Sequence, residues 1–535
     1  MGLLAAALSA ALGAFVAYPI GRVLLASLEG DGGPTVAHYL RFLRTPYFLL
    51  SLRNSVVLAL VVTGLALGVG FAMAWATTRG PARLRRPLRL VSLLPLVAPS
   101  YVFGVALLIL LGRRGLLNQA LGTDFRLLGW PGVIVGQVLT LFPVAYLMVE
   151  SVLASVDRTL EDGASDLGAS DLQVLRTVTL PLCAPGLLRA ALMVFALSMA
   201  DFATPTVLGA GLAFLAQDAL LLVIGAEYDL RMASVLCVVL MVPSLVVFLA
   251  QHRWLAGRSF VTVTGRGAGA EHRAPAAVGR PALAVAGLAA LAVIVPMALV
   301  VLGAFTRLVG VNNAPTLEHF RDVRGGTALE LSLRMASLSA VAVAGLGLLL
   351  AYLLARTRFP GRRLVELVAL LGFAVPGTVL GIGYVLAFNE PPLHLTGTFW
   401  ILVLSCVFHY LAVAVEAGLG KLAQVDPSLE EASADLGSSR LGTLGRVVGP
   451  LLATAFLAAL TYAFVNSMLT LSALVFLISP GQEPVASVIF AYARMGELGR
   501  ASALSVLLIA VVLAALGAAR LLAARSGRLD LGATR

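Results

Sequence analysis

The stretch that decides the fold is a charged segment, LEDGASDLG, at residues 160–168. A matching segment, LEEASADLG, occupies residues 429–437. The two segments are 269 positions apart, and the prolines that follow them, Pro181 and Pro450, keep the same separation. The sequence therefore predicts two copies of one unit, each organised around a charged loop.

The composition around these loops is that of a membrane protein. Hydrophobic residues make up 59% of the chain and charged residues only 12%, whereas soluble domains carry about 25% charged residues. The apolar runs are long and continuous, as membrane-spanning helices require, rather than the alternating segments of a transmembrane barrel. We therefore predict an all-α polytopic membrane protein.

The net charge of +11 does not indicate nucleic-acid binding, because the arginines cluster in short loops beside the apolar runs. Five of them lie between Arg79 and Arg89, and a second cluster begins at Arg356. Loops rich in Arg and Lys lie in the cytoplasm. We therefore expect these loops, and both termini, on the cytoplasmic side of the membrane.

The prediction is about 12 transmembrane helices in two homologous six-helix halves. The first half spans residues 1–252 and contains the loop 157–182, a cytoplasmic linker follows at 253–281, and the second half spans 282–535 with the loop 426–451. Six spans per half give both halves the same orientation, related by an axis along the membrane normal. We expect spans near residues 3–28, 54–78, 90–111, 131–154, 184–204, 232–250, 282–304, 331–355, 364–388, 398–420, 452–474 and 501–523.

Each loop is predicted to form a short amphipathic helix followed by a turn. Asp157 and Asp426 are suited to cap its N-terminus, and Gly168 allows the chain to turn after it. A helix lying on the bilayer surface has a basic polar face, whereas these faces are acidic, so the apolar stripe is expected to meet another protein. In the first copy that stripe contains Leu160, Ala164, Leu167 and Leu172.

Both loops resemble the EAA loop of the permease subunits of binding-protein-dependent ABC importers. That pattern is Glu-Ala-Ala, three residues, Gly, nine residues, a branched apolar residue, one residue and Leu-Pro. The first copy has Asp and Gly in place of Glu and Ala, and the second has lost the Leu before its Pro. The residues that carry the resemblance are Glu161, Asp162, Gly163, Ala164, Gly168 and Pro181 in the first loop and Glu430, Glu431, Ala432, Ser433, Gly437 and Pro450 in the second.

The resemblance implies that each loop is a coupling helix seated on a separate ABC ATPase subunit, in two copies, and that an extracytoplasmic solute-binding protein delivers the solute. The chain has no Gly-x-x-x-x-Gly-Lys-[Ser/Thr] phosphate-binding motif, and its single lysine, Lys421, is not part of one. We therefore expect no enzymatic activity, no catalytic residue, no cofactor and no resident metal in this chain, and ATP hydrolysis by its partners.

Further segments resemble the fused twelve-span permeases of the ferric-iron type, a fold of the type I importer class in the inner membrane. They are ADFATP at 200–205, FVTVTG at 260–265, FPGR at 359–362 and VPGTVLGIGY at 375–384. The resemblance implies ferric iron as the solute. Importers for thiamine, aminoalkylphosphonates and polyamines share the two-half plan and stay open as alternatives.

A few residues within the spans are candidates for the translocation path. Asp201 near the end of a span is costly unless it faces a cavity or a partner, although it could instead cap a re-entrant segment or pair with a nearby arginine. Glu416 could pair with His409 inside the bundle, and His409 is disfavoured as an iron ligand because no carboxylate–tyrosine cluster accompanies it. Pro99 and Pro376 recur at matching positions, 277 residues apart.

Two rival classes also fit a polytopic membrane protein. A secondary transporter with parallel repeats needs buried coupling-ion carboxylates, and it leaves two acidic cytoplasmic loops unexplained. A membrane-embedded enzyme needs a metal or nucleophile constellation, and the sequence offers none. The importer permease therefore explains more of the sequence than either rival.

Overall fold

The computed structural model describes residues 2–112, 115–124, 127–255, 276–391 and 393–525. Most of the predicted linker, and the segment at 260–265, lie outside the described residues. The helices of the first half are Gly2–Ala26, Ala37–Arg44, Pro46–Thr78, Ala82–Leu93, Ser100–Leu111, Leu116–Leu121, Trp130–Ser155, Arg158–Asp166, Asp171–Ala200, Ala203–Leu208, Leu215–Ile224 and Leu230–Leu255.

The second half follows the same general order of helices. Two antiparallel strand pairs, Glu29–Gly30 with Gly33–Pro34 and Thr306–Leu308 with Asn312–Pro315, follow the first helix of each half. Single 3₁₀ turns occupy Leu94–Val97, Glu318–Arg321 and Leu474–Phe476. The helices of the second half are Ala276–Ala304, Val323–Arg356, Arg362–Ala374, Gly377–Phe388, Phe399–Leu422, Ser428–Asp435, Leu441–Leu451, Ala453–Leu469, Val485–Met495 and Leu498–Arg525.

The helices confirm an all-α polytopic membrane protein. Among the described residues, 9 helices are long and apolar enough to cross a membrane, and two bent helix pairs raise the number to 11. The predicted number of about 12 also counts the helix Leu230–Leu255, whose apolar part, Leu230–Val246, is shorter.

The third and ninth predicted spans are each interrupted by a break in the helix. The third breaks between Leu93 and Ser100, and the ninth bends by 111° between Ala374 and Gly377. Both breaks occur at the matching prolines, Pro99 and Pro376. Proline lacks an N–H donor and pushes the preceding residue out of helical geometry, so each helix ends and restarts there.

The helix after each charged loop begins earlier than predicted and differs between the halves. In the first half it begins at Asp171 and continues to Ala200 through a π-helical turn. Pro181 lies in the first α-helical turn after that π turn, where its missing N–H costs little. In the second half the chain bends by 74° between Leu441–Leu451 and Ala453–Leu469.

The first helix of each half packs against the other half. Leu12 and Val16 belong to the hydrophobic core built mainly from the second half. The Tyr384 hydroxyl donates to the Phe15 carbonyl at 2.9 Å. A Cβ added at Gly383 would lie 2.7 Å from the Pro19 carbonyl oxygen, so this contact requires glycine. The two halves defined by the repeat are therefore interlocked in space.

The exchange is reciprocal. Ala286 and Val293, from the first helix of the second half, are fully buried in the core that holds most of the first half. The two halves therefore form a single membrane-embedded body. The first helix of each half supplies part of the surface between them.

Candidate functional site

The first charged loop folds into two short helical segments joined by a turn. The Asp157 carboxylate accepts from the Thr159 N–H at 3.0 Å and caps the helix Arg158–Asp166. Gly168 then adopts a φ of +87°, which favours glycine. Ser170 forms a capping box that starts the next helix. The predicted cap, helix and turn are therefore present in the structure.

Glu161 in this helix is held by Arg79, the residue that directly follows the helix Pro46–Thr78. Arg79 Nη2 and Nε donate to the two carboxylate oxygens at 2.7 and 3.1 Å. The Thr179 hydroxyl donates to the same carboxylate at 2.7 Å, and Arg79 Nη1 donates to the Leu153 carbonyl at 3.2 Å. Bidentate charge-assisted pairs are among the strong hydrogen bonds, so this contact fixes the loop helix to two spans.

The same arrangement recurs in the second loop. Arg356 Nε donates to Glu430 Oε1 at 2.7 Å, and Arg356 Nη2 reaches the carbonyls of Leu422 and Val425 at 3.2 and 2.8 Å. The Tyr352 hydroxyl donates to Glu430 Oε2 at 3.1 Å. The two halves therefore share one ion pair but complete it differently, with a threonine in the first and a tyrosine in the second.

Sequence reasoning missed this Arg–Glu clamp. The sequence places Arg79 and Arg356 in arginine-rich loops and Glu161 and Glu430 in the EAA-type loops, but it does not pair them. A signal was present, because the arginines are 277 positions apart and the glutamates 269, so both recur in the two copies. The sequence alone, however, does not show that these arginines contact these glutamates.

Each loop has an exposed leucine directly before the glycine at its turn. Leu167 is 91% exposed and Leu436 is 89% exposed. Gly437 has a φ of +79°, like its counterpart in the first loop, with open space around it. An apolar side chain held this far from the protein by a rigid turn is typical of a surface that meets a partner.

The other predicted residues of the two loops differ in exposure and in hydrogen bonding. Glu431 and Ala432 are exposed, and the Ser433 hydroxyl lies 3.0 Å from that of Thr443. The Ser428 backbone N–H lies 2.9 Å from the Asp426 carboxylate, and this hydrogen bond lowers the pKa of Asp426. In the first loop Gly163 is exposed and Asp162 and Ala164 are half-buried, while Pro181 and Pro450 are both exposed.

A cavity of about 300 Å³ lies between the two halves. Its walls come from both copies of the repeat, including the restart points of the third and ninth spans, where Ser100 and Pro376 lie. Pro99 directly precedes Ser100. A groove of about 420 Å³ elsewhere is lined by the two helices Ala453–Leu469 and Leu498–Arg525 of one half. The polar residues that line the cavity between the halves are Ser100, Thr140, Asp201, Ser244, His409 and Ser472.

Asp201 both caps a helix and faces the cavity, so these two alternatives from the sequence are not exclusive. Its Oδ1 accepts from the N–H groups of Ala203 and Thr204 at 3.0 and 3.2 Å. Its Oδ2 accepts from Gln137 Nε2 at 3.1 Å. The carboxylate is thus held rigidly at the end of the helix Asp171–Ala200, in the wall of the cavity.

Glu416 and His409 lie on the helix Phe399–Leu422 but do not pair in the described part of the chain, so that expectation was wrong. The residues are two turns apart, and Glu416 is exposed and is not part of the cavity wall. The His409 imidazole does line the cavity. Among the four residues considered for the path, Asp201 and Pro376 line the cavity directly.

Comparison with known proteins identifies two matches to one family within the chain. Residues 64–261 and 345–528 each match the family described as binding-protein-dependent transport system inner membrane component. Each matched range contains one charged loop and its arrangement of helices. The sequence repeat and the family repeat therefore coincide.

The ferric transport system permease protein FbpB of Actinobacillus pleuropneumoniae is 32% identical over 514 residues, covering 94% of this chain and 75% of that protein. A putative ferric transport system permease protein of Haemophilus influenzae is 33% identical over 482 residues, covering 87% of this chain and 76% of that protein. The spermidine/putrescine permease PotB of Escherichia coli is 31% identical over 182 residues, which is 33% of this chain and 66% of that protein.

Proposed function

Because this chain belongs to the family of binding-protein-dependent transport system inner membrane components, we propose that it is the fused permease subunit of an ABC importer for ferric iron. The observation that carries the proposal is the duplicated loop helix, clamped to the spans by an Arg–Glu pair and ending in an exposed leucine. A force applied to such a helix is transmitted to the spans, because the clamp is a rigid, charge-assisted contact.

In this proposal each loop seats on one ABC ATPase subunit, and closure of the two subunits on ATP moves both loops together. The Arg79 and Arg356 clamps pass that movement to the second and fourth spans of their halves. The interlocked halves then open alternately to the two sides of the membrane. An extracytoplasmic solute-binding protein delivers the iron, and the chain lies in the inner membrane with both termini in the cytoplasm.

Iron is favoured by the two ferric-transport relatives, which match most of this chain, whereas the polyamine permease matches a third of it. The cavity between the halves adds a physical reason against an aminoalkylphosphonate. Its wall holds the Asp201 carboxylate and no lysine or arginine among the described lining residues, and a phosphonate anion would be repelled there.

The test is reconstitution of the chain in proteoliposomes with its neighbouring ATPase and binding protein. We expect the ATPase to co-purify with the chain, and radioactive ⁵⁵Fe³⁺ loaded on the binding protein to enter only with ATP. Thiamine and spermidine offered in the same way are the matched controls. ATP-independent uptake driven by an ion gradient would refute the importer, and uptake of thiamine or spermidine in place of iron would refute the substrate.

A further inference from the structure

We propose that the cavity between the halves is a transit site that holds one small metal cation between the Asp201 carboxylate of the first half and the His409 imidazole of the second. This inference rests on the proposed function, since it assigns the point in the path where the transported ion is held. The argument depends on the free ligand atoms, the charge and the size of the cavity.

Asp201 presents a carboxylate that is oriented but not neutralised. Its hydrogen-bond donors are two backbone N–H groups and the Gln137 amide, none of which carries a charge. No ion pair involves Asp201 within the described residues. A carboxylate has about four lone-pair sites, and these donors use three, so a cation in the cavity competes only with the neighbouring Thr204 hydroxyl for the fourth.

His409 presents a free imidazole nitrogen to the same cavity. Its Nδ1 is buried and has no hydrogen-bond partner in the described part of the structure. The Gly372 backbone is a hydrogen-bond partner of the ring, which leaves one ring nitrogen for a ligand. The His409 ring lines the cavity, so a ligand there can reach it. A neutral imidazole nitrogen is a common metal ligand. The sequence alone disfavours His409 as an iron ligand, but the structure reverses that expectation because the Asp201 carboxylate lines the same cavity.

The two ligand residues break the symmetry of the repeat in complementary ways. The position 269 residues before His409 is Thr140, which lines the opposite wall, and the position 269 residues after Asp201 is Thr470. Each half therefore has one proposed ligand at a repeat position where the other half has a threonine. The site is complete only while the halves are together, so separation of the halves would release the ion.

The size and weak ligation of the site fit an ion that is passed on. Six waters at about 30 Å³ each occupy about 180 Å³, so the cavity of about 300 Å³ accommodates a partly hydrated ion. It is at the lower limit of the range for an organic ligand. The described residues contain no group of three or more His, Cys, Asp or Glu that could hold a metal tightly. A path needs binding weak enough for release.

The experiment uses the assembled transporter in proteoliposomes with ⁵⁵Fe³⁺ delivered by the binding protein. Asp201→Asn keeps the cap acceptor but removes the charge, and His409→Gln keeps a polar side chain but removes the imidazole. We expect each to lower uptake more than tenfold while ATPase association and basal ATP hydrolysis stay within twofold of the unaltered protein. Thr461→Val, in the groove that lies outside this cavity, is the control, with uptake expected within threefold.

A second readout identifies the ligand directly. We expect the electron paramagnetic resonance of Fe³⁺ trapped in the assembly by a non-hydrolysable ATP analogue to show coupling to an imidazole nitrogen, which His409→Gln removes. Normal uptake by both variants, or nitrogen coupling that survives His409→Gln, overturns the site. Failure of the unaltered assembly to take up iron is a different result, because it overturns the ferric-iron proposal itself.

Discussion

Replacing Glu161 by Gln should release the first loop helix from the spans while leaving the fold of the membrane region intact. The side chain of Glu161 is 14% exposed and that of Arg79 is 5% exposed, and their atoms approach to 2.7 Å. The substitution keeps the size of the side chain, but it removes the charge and sets an amide N–H₂ against the donors of Arg79.

The cost follows from the burial of the pair. Breaking a buried ion pair by removing one partner costs about 3–5 kcal/mol. Glu161 retains some contact with water, so we take the lower end, about 3 kcal/mol. At 1.36 kcal/mol per factor of ten, local opening of the helix Arg158–Asp166 should become roughly 150-fold more frequent.

The assay is hydrogen–deuterium exchange of the purified chain, read on peptides that cover the first loop. Asp166→Asn is the matched control, because Asp166 is an exposed carboxylate on the same helix, and surface substitutions of this kind change stability by about 0.5 kcal/mol or less. The peptides of the second loop provide an internal reference. If Glu161→Gln speeds exchange no more than Asp166→Asn does, the clamp does not stabilise the loop and our reasoning is wrong.

Three further outcomes are expected. Leu167→Asp and Leu436→Asp should each weaken ATPase binding about 10- to 100-fold in a surface-binding assay. The reason is that burial of a leucine contributes about 1.5–3 kcal/mol. Unchanged binding by both variants would show that these leucines do not contact the ATPase. Gly437→Val should destabilise the second loop by about 1–2 kcal/mol, because the backbone at Gly437 has a positive φ. Gly163→Val is the control, since Gly163 is a helical glycine in open space and lacks this strain. Equal destabilisation by both variants would contradict the role of the turn. Tyr352→Phe should cost about 1.5–3 kcal/mol of local stability by removing a hydrogen bond to a charged group, as measured by exchange in the second loop, and no change there would show that the Tyr352 bond contributes nothing.

Much of the loop geometry could be predicted from residue types alone. Asp157 and Gly168 act through local backbone geometry, and cap and turn preferences depend on a few neighbouring residues. Pro99 and Pro376 could also be located from the sequence, but the sequence did not show that each one interrupts a helix. A span tolerates proline only where neighbours satisfy the freed backbone groups, and that depends on the packing around each site.

The sequence by itself determined that this is a duplicated membrane protein with two charged loops, because composition and the repeat are linear properties of the chain. Only the tertiary structure decided that Arg79 meets Glu161, that the first helices are exchanged between halves, and that Asp201 and His409 share a cavity. Helices that are apolar on all sides carry little information about which face meets which neighbour, and lipid supplies no hydrophobic drive to sort them. Their close packing therefore selects contacts between residues that are far apart in the chain.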